Sequence, residues 1–214
     1  MDRRISRVDV DGAPAGVNVY RVDCLDGGGD ADRFIDRLDE AERVYALRIV
    51  DRGDRARYVL RRAARRLLLE RHAAELTFSA LGRPGFSTPS ADDFSSASSG
   101  DLALIAFARG LRIGIDVERI RELDNVRELA AAALDTGEMA DFDAAGPRGE
   151  SESFLRFWTM KEAVLKAAGT GVAVPAAAMR RPDPANAWNV VSFFPGPGYV
   201  GALASGPAAA SAAF

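Results

Sequence analysis

Residues 102–119 read LALIAFARGLRIGIDVER, and this stretch decides the fold that we predict. It contains two apolar runs, 102–108 and 112–119, on either side of Arg109-Gly110. Runs of this length bounded by a glycine are typical of strands, so we predict two strands joined by a turn.

The second of these strands carries paired carboxylates on one face. Side chains two residues apart on a strand project from the same face, so Asp116 and Glu118 lie beside each other, with Gly114 on the same side. Two such carboxylates repel unless solvent screens them or a cation lies between them. Taken alone, the pair favours a solvated strand face, and a site for a hard cation such as Mg²⁺ is the alternative.

Outward from this stretch, alternation and helical spacing predict the other elements of the chain. We predict strands at 17–23, 76–80, 188–194 and 198–204, helices at 31–50, 54–73, 124–134 and 152–168, a loop at 81–99, and a loose tail at 206–214. Strands and helices are mixed in both halves, which favours an α+β architecture.

The charge of the chain is uneven. Its formal net charge is −3, which gives no general reason to expect nucleic acid as a partner. Residues 43–71, however, hold ten arginines and only three acidic residues. Such a basic segment is either a solvated helix face or an anion site.

Two residue types that occur only once limit the kinds of site that the chain can form. Cys24 is the only cysteine, which excludes an intrachain disulfide and fits a reducing cytoplasm. No signal peptide and no run of about 20 apolar residues is visible, so we expect a cytoplasmic protein without a membrane partner. Any histidine-based metal site or catalytic triad would need His72, the only histidine, so carboxylates and lysines are the better candidates.

A second motif, FWTMKEAVLKAAG at 157–169, adds such residues. On a helix Glu162 and Lys166 are four residues apart and share a face, with Lys161 beside them. An ordinary surface ion pair explains this pattern. A third metal ligand beside phosphate-binding ammonium groups is the functional alternative, for which this motif alone is a weak signal.

The two motifs together resemble the surfactin-type 4′-phosphopantetheinyl transferases, which have Gly-Ile-Asp-x-Glu followed by Trp/Phe-Ser/Thr-x-Lys-Glu-Ala/Ser-x-x-Lys. Asp116 and Lys161 are 45 positions apart, a spacing that suits this family. The resemblance implies a pseudo-symmetric pair of similar α/β halves, here 1–108 and 109–214, with coenzyme A between them.

The resemblance also implies roles for the charged residues of both motifs. Asp116, Glu118 and Glu162 correspond to magnesium ligands, with manganese left open, and Lys166 to the lysine that holds a phosphate of coenzyme A. Glu162, Lys166 and Lys161 are the candidate catalytic residues. The base that accepts the serine proton is either Glu162 or a water on the metal.

Further residues correspond to the family's nucleotide-binding positions. Arg57 matches an arginine that grips the 3′-phosphate, and Gly82-Arg83-Pro84 matches a loop near the adenine. Ser98 and Ser99 belong to a segment in which the family has a histidine at the position of Ser98. That histidine helps to bind the 3′-phosphate, and a serine there keeps a hydrogen bond but no charge.

The implied function is transfer of 4′-phosphopantetheine from coenzyme A to a serine of an apo acyl or peptidyl carrier protein, by a monomeric, magnesium-dependent enzyme. The segment 124–142, with Leu129 and Leu134, offers either a docking surface for the carrier or a plain amphipathic helix. Two alternatives stay open: a non-catalytic coenzyme A or nucleotide-binding protein that retains the fold, and a nucleic-acid binder that uses the arginine-rich helix.

Overall fold

Two antiparallel sheets divide the described chain at Gly110. The computed structural model describes residues 1–26, 29–71, 76–78, 84–86, 92–169 and 188–207. The first sheet has the order β1-β2-β6-β5 and comprises Ile5–Val8 (β1), Asn18–Asp23 (β2), Asp92–Ser99 (β5) and Leu102–Arg109 (β6). The second has the order β7-β9-β8 and comprises Leu111–Arg119 (β7), Asn189–Gly196 (β8) and Tyr199–Pro207 (β9). Leu76–Phe78 (β3) and Pro84–Phe86 (β4) pair separately.

Helices pack on both sheets. The α-helices are Glu40–Arg48 (α1), Arg52–Arg71 (α2), Val126–Ala133 (α3), Thr136–Ala144 (α4) and Glu150–Ala168 (α5), with 3-10 helices at Asp2–Arg4 and Ala31–Arg37. In α2, Leu60 and Leu68 are fully buried and pack with Phe94 and Phe107 of the first sheet. None of the helices in the described part of the chain has the length and apolar character that crossing a membrane requires.

The two sheets meet through an apolar layer and through polar side chains of β5. Leu104 of β6 packs with Ile113 and Ile115 of β7 in a buried cluster. Along β7, three backbone N–H groups donate to side-chain oxygens of β5: Ile113 to Asp93 at 2.9 Å, Ile115 to Ser95 at 3.1 Å and Arg119 to Ser99 at 3.0 Å. These bonds satisfy donors at the edge of the second sheet, of which those of Ile113 and Ile115 are buried, and they set the register between the sheets.

Most predicted elements are confirmed. The strands predicted at 17–23, 102–108, 112–119, 188–194 and 198–204 correspond to β2, β6, β7, β8 and β9, and the helices predicted at 54–73, 124–134 and 152–168 to α2, α3 and α5. The mixed α+β class is confirmed as well. The strands β6 and β7 follow each other directly but belong to different sheets.

Two predictions were wrong. Residues 31–50 form a 3-10 helix and then α1, because Asp39 accepts the backbone N–H of Glu42 in a capping box and starts a new helix there. Residues 81–99, predicted as loop, contain β4 and the eight-residue strand β5. In addition, β1 and α4 were not predicted.

Some predictions lie outside the described residues or at their margin. His72 and the tail from residue 208 are outside them, as are residues 79 and 80 of the strand predicted at 76–80. The division of the chain into halves 1–108 and 109–214 stays a prediction.

Candidate active site

A glycine allows α5 to lie directly against β7. A Cβ atom added at Gly114 would overlap the backbone carbonyl of Ala163 and the backbone amide of Ala167. Ala163 and Ala167 are fully buried and pack against the alanines of β9. Small residues on both elements therefore bring the helix backbone close to the strand face that carries the paired carboxylates.

Asp116 is the buried member of this carboxylate pair, and Lys166 of α5 is its partner. Lys166 Nζ lies 2.7 Å from Asp116 Oδ1, and Asp116 is 7% exposed. Burial raises the pKa of Asp116 from 3.8 to about 6; Lys166 opposes this increase, whereas Glu162 and Glu118 add to it. The two motifs thus meet in space as an interacting group of three carboxylates and one ammonium.

Glu118 is held by Ser99 of β5 and by Arg121, which follows β7. Ser99 Oγ donates to Glu118 Oε2 at 2.7 Å, and Arg121 Nη1 donates to the same oxygen at 3.2 Å. The Ser99 hydroxyl also accepts the backbone N–H of Arg119, so its orientation is defined by bonds on both sides. Ser99, which the resemblance assigns to the nucleotide site, therefore contacts the predicted metal ligand Glu118.

The donor set suits a hard divalent cation. Within the described residues no three histidine, cysteine or acidic side chains stand close enough together to hold a metal as they are. Asp116, Glu118 and Glu162 nevertheless offer the carboxylate oxygens that Mg²⁺ prefers. The ammonium of Lys166, bound to Asp116, shows that this buried carboxylate accepts a positive charge. The assignment of these three residues as metal ligands stays a prediction.

Lys161 occupies a different environment from Lys166. Its Nζ lies 2.8 Å from Glu138 Oε2 of α4, and both side chains are only 4% exposed. Glu138 also accepts the backbone N–H of Asp135 at the start of α4. The structure therefore gives Lys161 a buried ion pair that joins α4 to α5, and its catalytic role stays a prediction.

A cleft of about 540 Å³ lies between α1, α2, the turn that joins β5 to β6 and the end of β7, and its lining includes Tyr45, Arg57, Arg61, Asp101 and Arg119. The guanidinium of Arg57 donates to Asp54 at 2.8 Å and to Asp101 at 3.0 Å. These two hydrogen-bonded carboxylates raise the pKa of Arg57. The cleft is polar and basic, as a site for a phosphorylated ligand should be.

The remaining nucleotide-site predictions have different outcomes. Ser98 accepts a hydrogen bond from Arg61 Nη1 at 2.7 Å. Pro84 begins β4 and pairs with Phe78, whereas Gly82 and Arg83 lie outside the described residues.

Arg61 and Arg119, which also line the cleft, were not among the predicted site residues. Two signals in the sequence could have indicated them. Arg61 is one helical turn after Arg57, and Arg119 directly follows Glu118.

Comparison with known proteins gives one family. Residues 112–196 match the model of the 4′-phosphopantetheinyl transferase superfamily. The chain is 36% identical over 109 residues to the 4′-phosphopantetheinyl transferase AcpT of Salmonella typhi, which covers 50% of this chain and 57% of the relative. It is 38% identical over 96 residues to AcpT of Escherichia coli (strain K12), covering 44% and 49%.

A third relative extends the similarity beyond this region. The chain is 28% identical over 165 residues to the L-aminoadipate-semialdehyde dehydrogenase-phosphopantetheinyl transferase of Eremothecium gossypii, covering 67% of this chain and 59% of the relative. The chain thus spans about half the length of the curated AcpT relatives that it matches. The comparisons support the 4′-phosphopantetheinyl transferase superfamily for the part of the chain that carries Asp116, Glu118 and Glu162, and they do not specify its surfactin-type group.

Proposed function

We propose that this chain transfers 4′-phosphopantetheine from coenzyme A to a serine hydroxyl of an apo acyl or peptidyl carrier protein. One observation carries the proposal: Asp116 and Glu118 on β7 face Glu162 and Lys166 on α5. A basic cleft lies close to this group, because Gly100 and Asp101 of its lining directly follow Ser99, which donates to Glu118. The similarity of residues 112–196 to transferases of this type supports the same conclusion.

The chain's own charged groups suit the chemistry of this transfer. Magnesium, when bound, would neutralise charge on the pyrophosphate as the leaving nucleotide departs. We propose Asp116, Glu118 and Glu162 as the residues that hold it. Lys166 would exchange its contact with Asp116 for a phosphate oxygen and stabilise the same developing charge.

Glu162 is our candidate for the proton acceptor. Asp116 is paired with Lys166, and Glu118 is bound by Ser99 and Arg121. In the described part of the chain, Glu162 makes neither a hydrogen bond nor an ion pair. In the proposed step the serine oxygen bonds to the β-phosphorus, the bond from that phosphorus to the leaving oxygen breaks, and the serine proton passes to Glu162. The products are the modified carrier and adenosine 3′,5′-bisphosphate.

We further propose that the halves 1–108 and 109–214 are the two similar units of the family and that the chain acts as a monomer. The first sheet ends at Arg109 and the second begins at Leu111, which supports a boundary there. The arginines of α2 and the carboxylates of β7 then come from different halves, so the ligand would lie between them.

The experiment that tests the function is a transfer assay. The protein is incubated with coenzyme A, Mg²⁺ and an apo carrier protein, and the carrier is weighed by mass spectrometry. We expect a phosphopantetheine mass increase that is absent from a carrier whose acceptor serine is alanine. Asp116→Ala should reduce the rate about a hundredfold or more, since it removes charge that stabilises the transition state. Coenzyme A binding without any transfer to acyl or peptidyl carriers would instead favour the non-catalytic binding protein.

A further inference from the structure

The hydroxyl of Ser99 joins two hydrogen bonds into a short chain at the end of β5. It accepts the backbone N–H of Arg119 at 3.0 Å and donates to Oε2 of Glu118 at 2.7 Å. A backbone N–H can only donate and an ionised carboxylate can only accept, so the single hydroxyl proton points to Glu118. The two bonds together therefore fix the orientation of this hydroxyl.

Ser95 shows that the bond to Glu118 is not needed to join the two sheets. It lies four residues earlier on the same strand and accepts the backbone N–H of Ile115 at 3.1 Å. This is the only hydrogen bond of the Ser95 side chain within the described structure. The bond from Ser99 to Glu118 is therefore an addition to the contact between the sheets, and it acts on a proposed metal ligand.

Both hydrogen-bond donors of Glu118 reach the same carboxylate oxygen. Ser99 and Arg121 donate to Oε2, whereas Oε1 receives no hydrogen bond from any residue that the structure describes. Holding one oxygen restricts the torsions of the glutamate side chain before an ion binds, which reduces the entropy lost on binding. Glu118 thus holds one oxygen in place and leaves the other for a ligand.

The two donors of Glu118 differ in charge. Arg121 is a cation whose side chain is 53% exposed, and its positive charge repels a second cation near Glu118. The Ser99 hydroxyl is neutral and is anchored by a backbone amide of the other sheet. Of the two, Ser99 is the donor that can keep its contact when a divalent cation binds to Oε1.

We propose that Ser99 is a positioning residue of the metal site: its hydroxyl holds Oε2 of Glu118 and so presents Oε1 to a divalent cation. The inference rests on the proposed function, in which Glu118 is a metal ligand. Replacing a residue that orients a metal ligand by a hydrogen bond typically changes metal affinity about tenfold to a hundredfold. This role differs from the nucleotide contact that the resemblance implies for Ser99, because the residue acts on the metal through Glu118.

The test compares wild type with Ser99→Ala, Ser99→Thr and the matched control Ser95→Ala, which also removes a hydroxyl that accepts a β7 amide. The probe is Mn²⁺, which accepts the same carboxylate ligands as Mg²⁺. Its dissociation constant is measured by electron paramagnetic resonance, with saturating coenzyme A and without it. We expect Ser99→Ala to weaken Mn²⁺ binding about tenfold to a hundredfold. Ser99→Thr, which keeps the hydroxyl, and Ser95→Ala, which leaves Glu118 untouched, should each weaken it less than about threefold.

The transfer assay gives a second readout. Ser99→Ala should raise the Mg²⁺ concentration that gives half of the maximal rate by about tenfold to a hundredfold. At saturating Mg²⁺ its rate should stay within about threefold of wild type, because all three proposed ligands remain. The thermal midpoint without metal is the fold control. Ser99→Ala should lower it less than Ser95→Ala does, because Arg119 is exposed and its amide can bond to water, whereas Ile115 is fully buried.

Three results would overturn the assignment. Equal weakening of Mn²⁺ binding by Ser99→Ala and Ser95→Ala would show a general distortion of the sheet contact. A loss of metal-free coenzyme A affinity in Ser99→Ala as large as the loss of Mn²⁺ affinity would return Ser99 to the nucleotide site. Transfer with the wild-type Mg²⁺ dependence in Ser99→Ala would overturn this inference and leave the proposed function intact. Conversely, Mn²⁺ binding that depends on Ser99 would support the inference even if nothing were transferred to a carrier.

Discussion

In the proposed site, Asp116 and Lys166 would serve both the free and the ligand-bound protein. A carboxylate that is 7% exposed and stands near two other carboxylates is costly to ionise. In the ligand-free structure the ammonium of Lys166 partly compensates that cost at 2.7 Å. A metal would compensate it more fully and would release Lys166 for a phosphate.

The raised pKa of Asp116 predicts a pH-dependent stability. The pKa is about 6 in the folded protein against a usual value of 3.8, so the folded state binds this proton more tightly. The Asp116 contribution is therefore most favourable below pH 4 and is lost as pH rises through 6. Its loss amounts to about 3 kcal/mol, since one pKa unit corresponds to about 1.4 kcal/mol.

Asp116→Asn should remove this part of the pH dependence. Urea unfolding between pH 4 and pH 7, with a metal chelator present, measures it. We expect the variant to be more stable than wild type at pH 7 and to lose the advantage towards pH 4. The exposed-residue variant Asp36→Asn should follow the wild-type curve. Parallel curves for Asp116→Asn and wild type would contradict the assigned pKa.

For single residues, the sequence predicts which carboxylates lie together better than it predicts which arginines are neutralised. Asp116 and Glu118 could be paired from strand alternation alone, and helical spacing could pair Glu162 with Lys166. The segment 43–71 contains ten arginines, and only tertiary contacts show which are neutralised. Arg57 binds two carboxylates and Arg61 a neutral serine, a difference that no local pattern contains.

Among the elements, β5 shows why sequence pattern has limits. Its residues include Asp92, Asp93 and four serines, a composition typical of a loop. The strand is polar because Asp93, Ser95 and Ser99 accept backbone N–H groups of β7. The side chains of β5 thus supply the acceptors that a neighbouring strand would otherwise supply to β7. Because the buried face of this strand is polar, an alternation of apolar and polar residues does not reveal it.

The close contact of α5 with β7 predicts that one methyl group added at this contact strongly destabilises the fold. Gly114→Ala places a Cβ against backbone atoms of Ala163 and Ala167, and backbone cannot rotate away as a side chain can. We expect a loss of about 3 kcal/mol or more in the free energy of unfolding, at the upper end for overpacking. Separation of the elements would also weaken the Asp116–Lys166 contact.

A matched control for this substitution lies in α4. An added Cβ at Gly137 has only an ordinary contact, 3.4 Å from Asp135 Oδ1. Gly137→Ala should therefore be neutral or stabilise the protein by up to about 1 kcal/mol, because alanine favours the helix. Both variants are compared by urea unfolding. Similar stabilities for Gly114→Ala and Gly137→Ala would show that α5 does not lie as close to β7 as described.

The buried pair of Lys161 and Glu138 predicts a coupled effect between α4 and α5. Lys161→Met or Glu138→Gln alone breaks this buried ion pair and should cost about 3–5 kcal/mol. The double variant removes both charges and should recover a large part of this loss. A double-mutant cycle in urea measures the coupling.

The same variants decide between a structural and a catalytic Lys161. If the lysine only joins the helices, the double variant should regain transfer activity together with stability. A double variant that is stable but inactive would contradict the structural role and restore Lys161 to the catalytic residues. Additive stability losses would contradict the ion pair itself.

The whole molecule contains two groups of like charges, one of arginines and one of carboxylates. Arg57 and Arg61 of α2 line the cleft, and the three neighbouring carboxylates belong to β7 and α5. Within each group the like charges repel one another in the free protein. A ligand with several phosphates, together with a divalent cation, would neutralise both groups at once.

This arrangement predicts that magnesium and coenzyme A stabilise the protein cooperatively. A ligand that binds only the native state at a concentration a hundred times its dissociation constant contributes about 2.7 kcal/mol. For a protein of this size that corresponds to a rise of about 5–10 °C in the thermal midpoint. With both ligands the rise should exceed the sum of the single shifts, because the pyrophosphate supplies oxygens to the metal.

Two variants should divide this effect between the charge groups. Asp116→Asn should keep the shift with coenzyme A alone but lose the extra shift with magnesium, since it removes a proposed metal ligand. Arg61→Gln should lower the coenzyme A shift and keep the magnesium enhancement, since the metal group is intact. Thermal unfolding with each ligand, with both ligands and with neither measures all of these shifts in the thermal midpoint. Strictly additive shifts in wild type would contradict a shared site, because phosphates and metal would then bind without contact with each other.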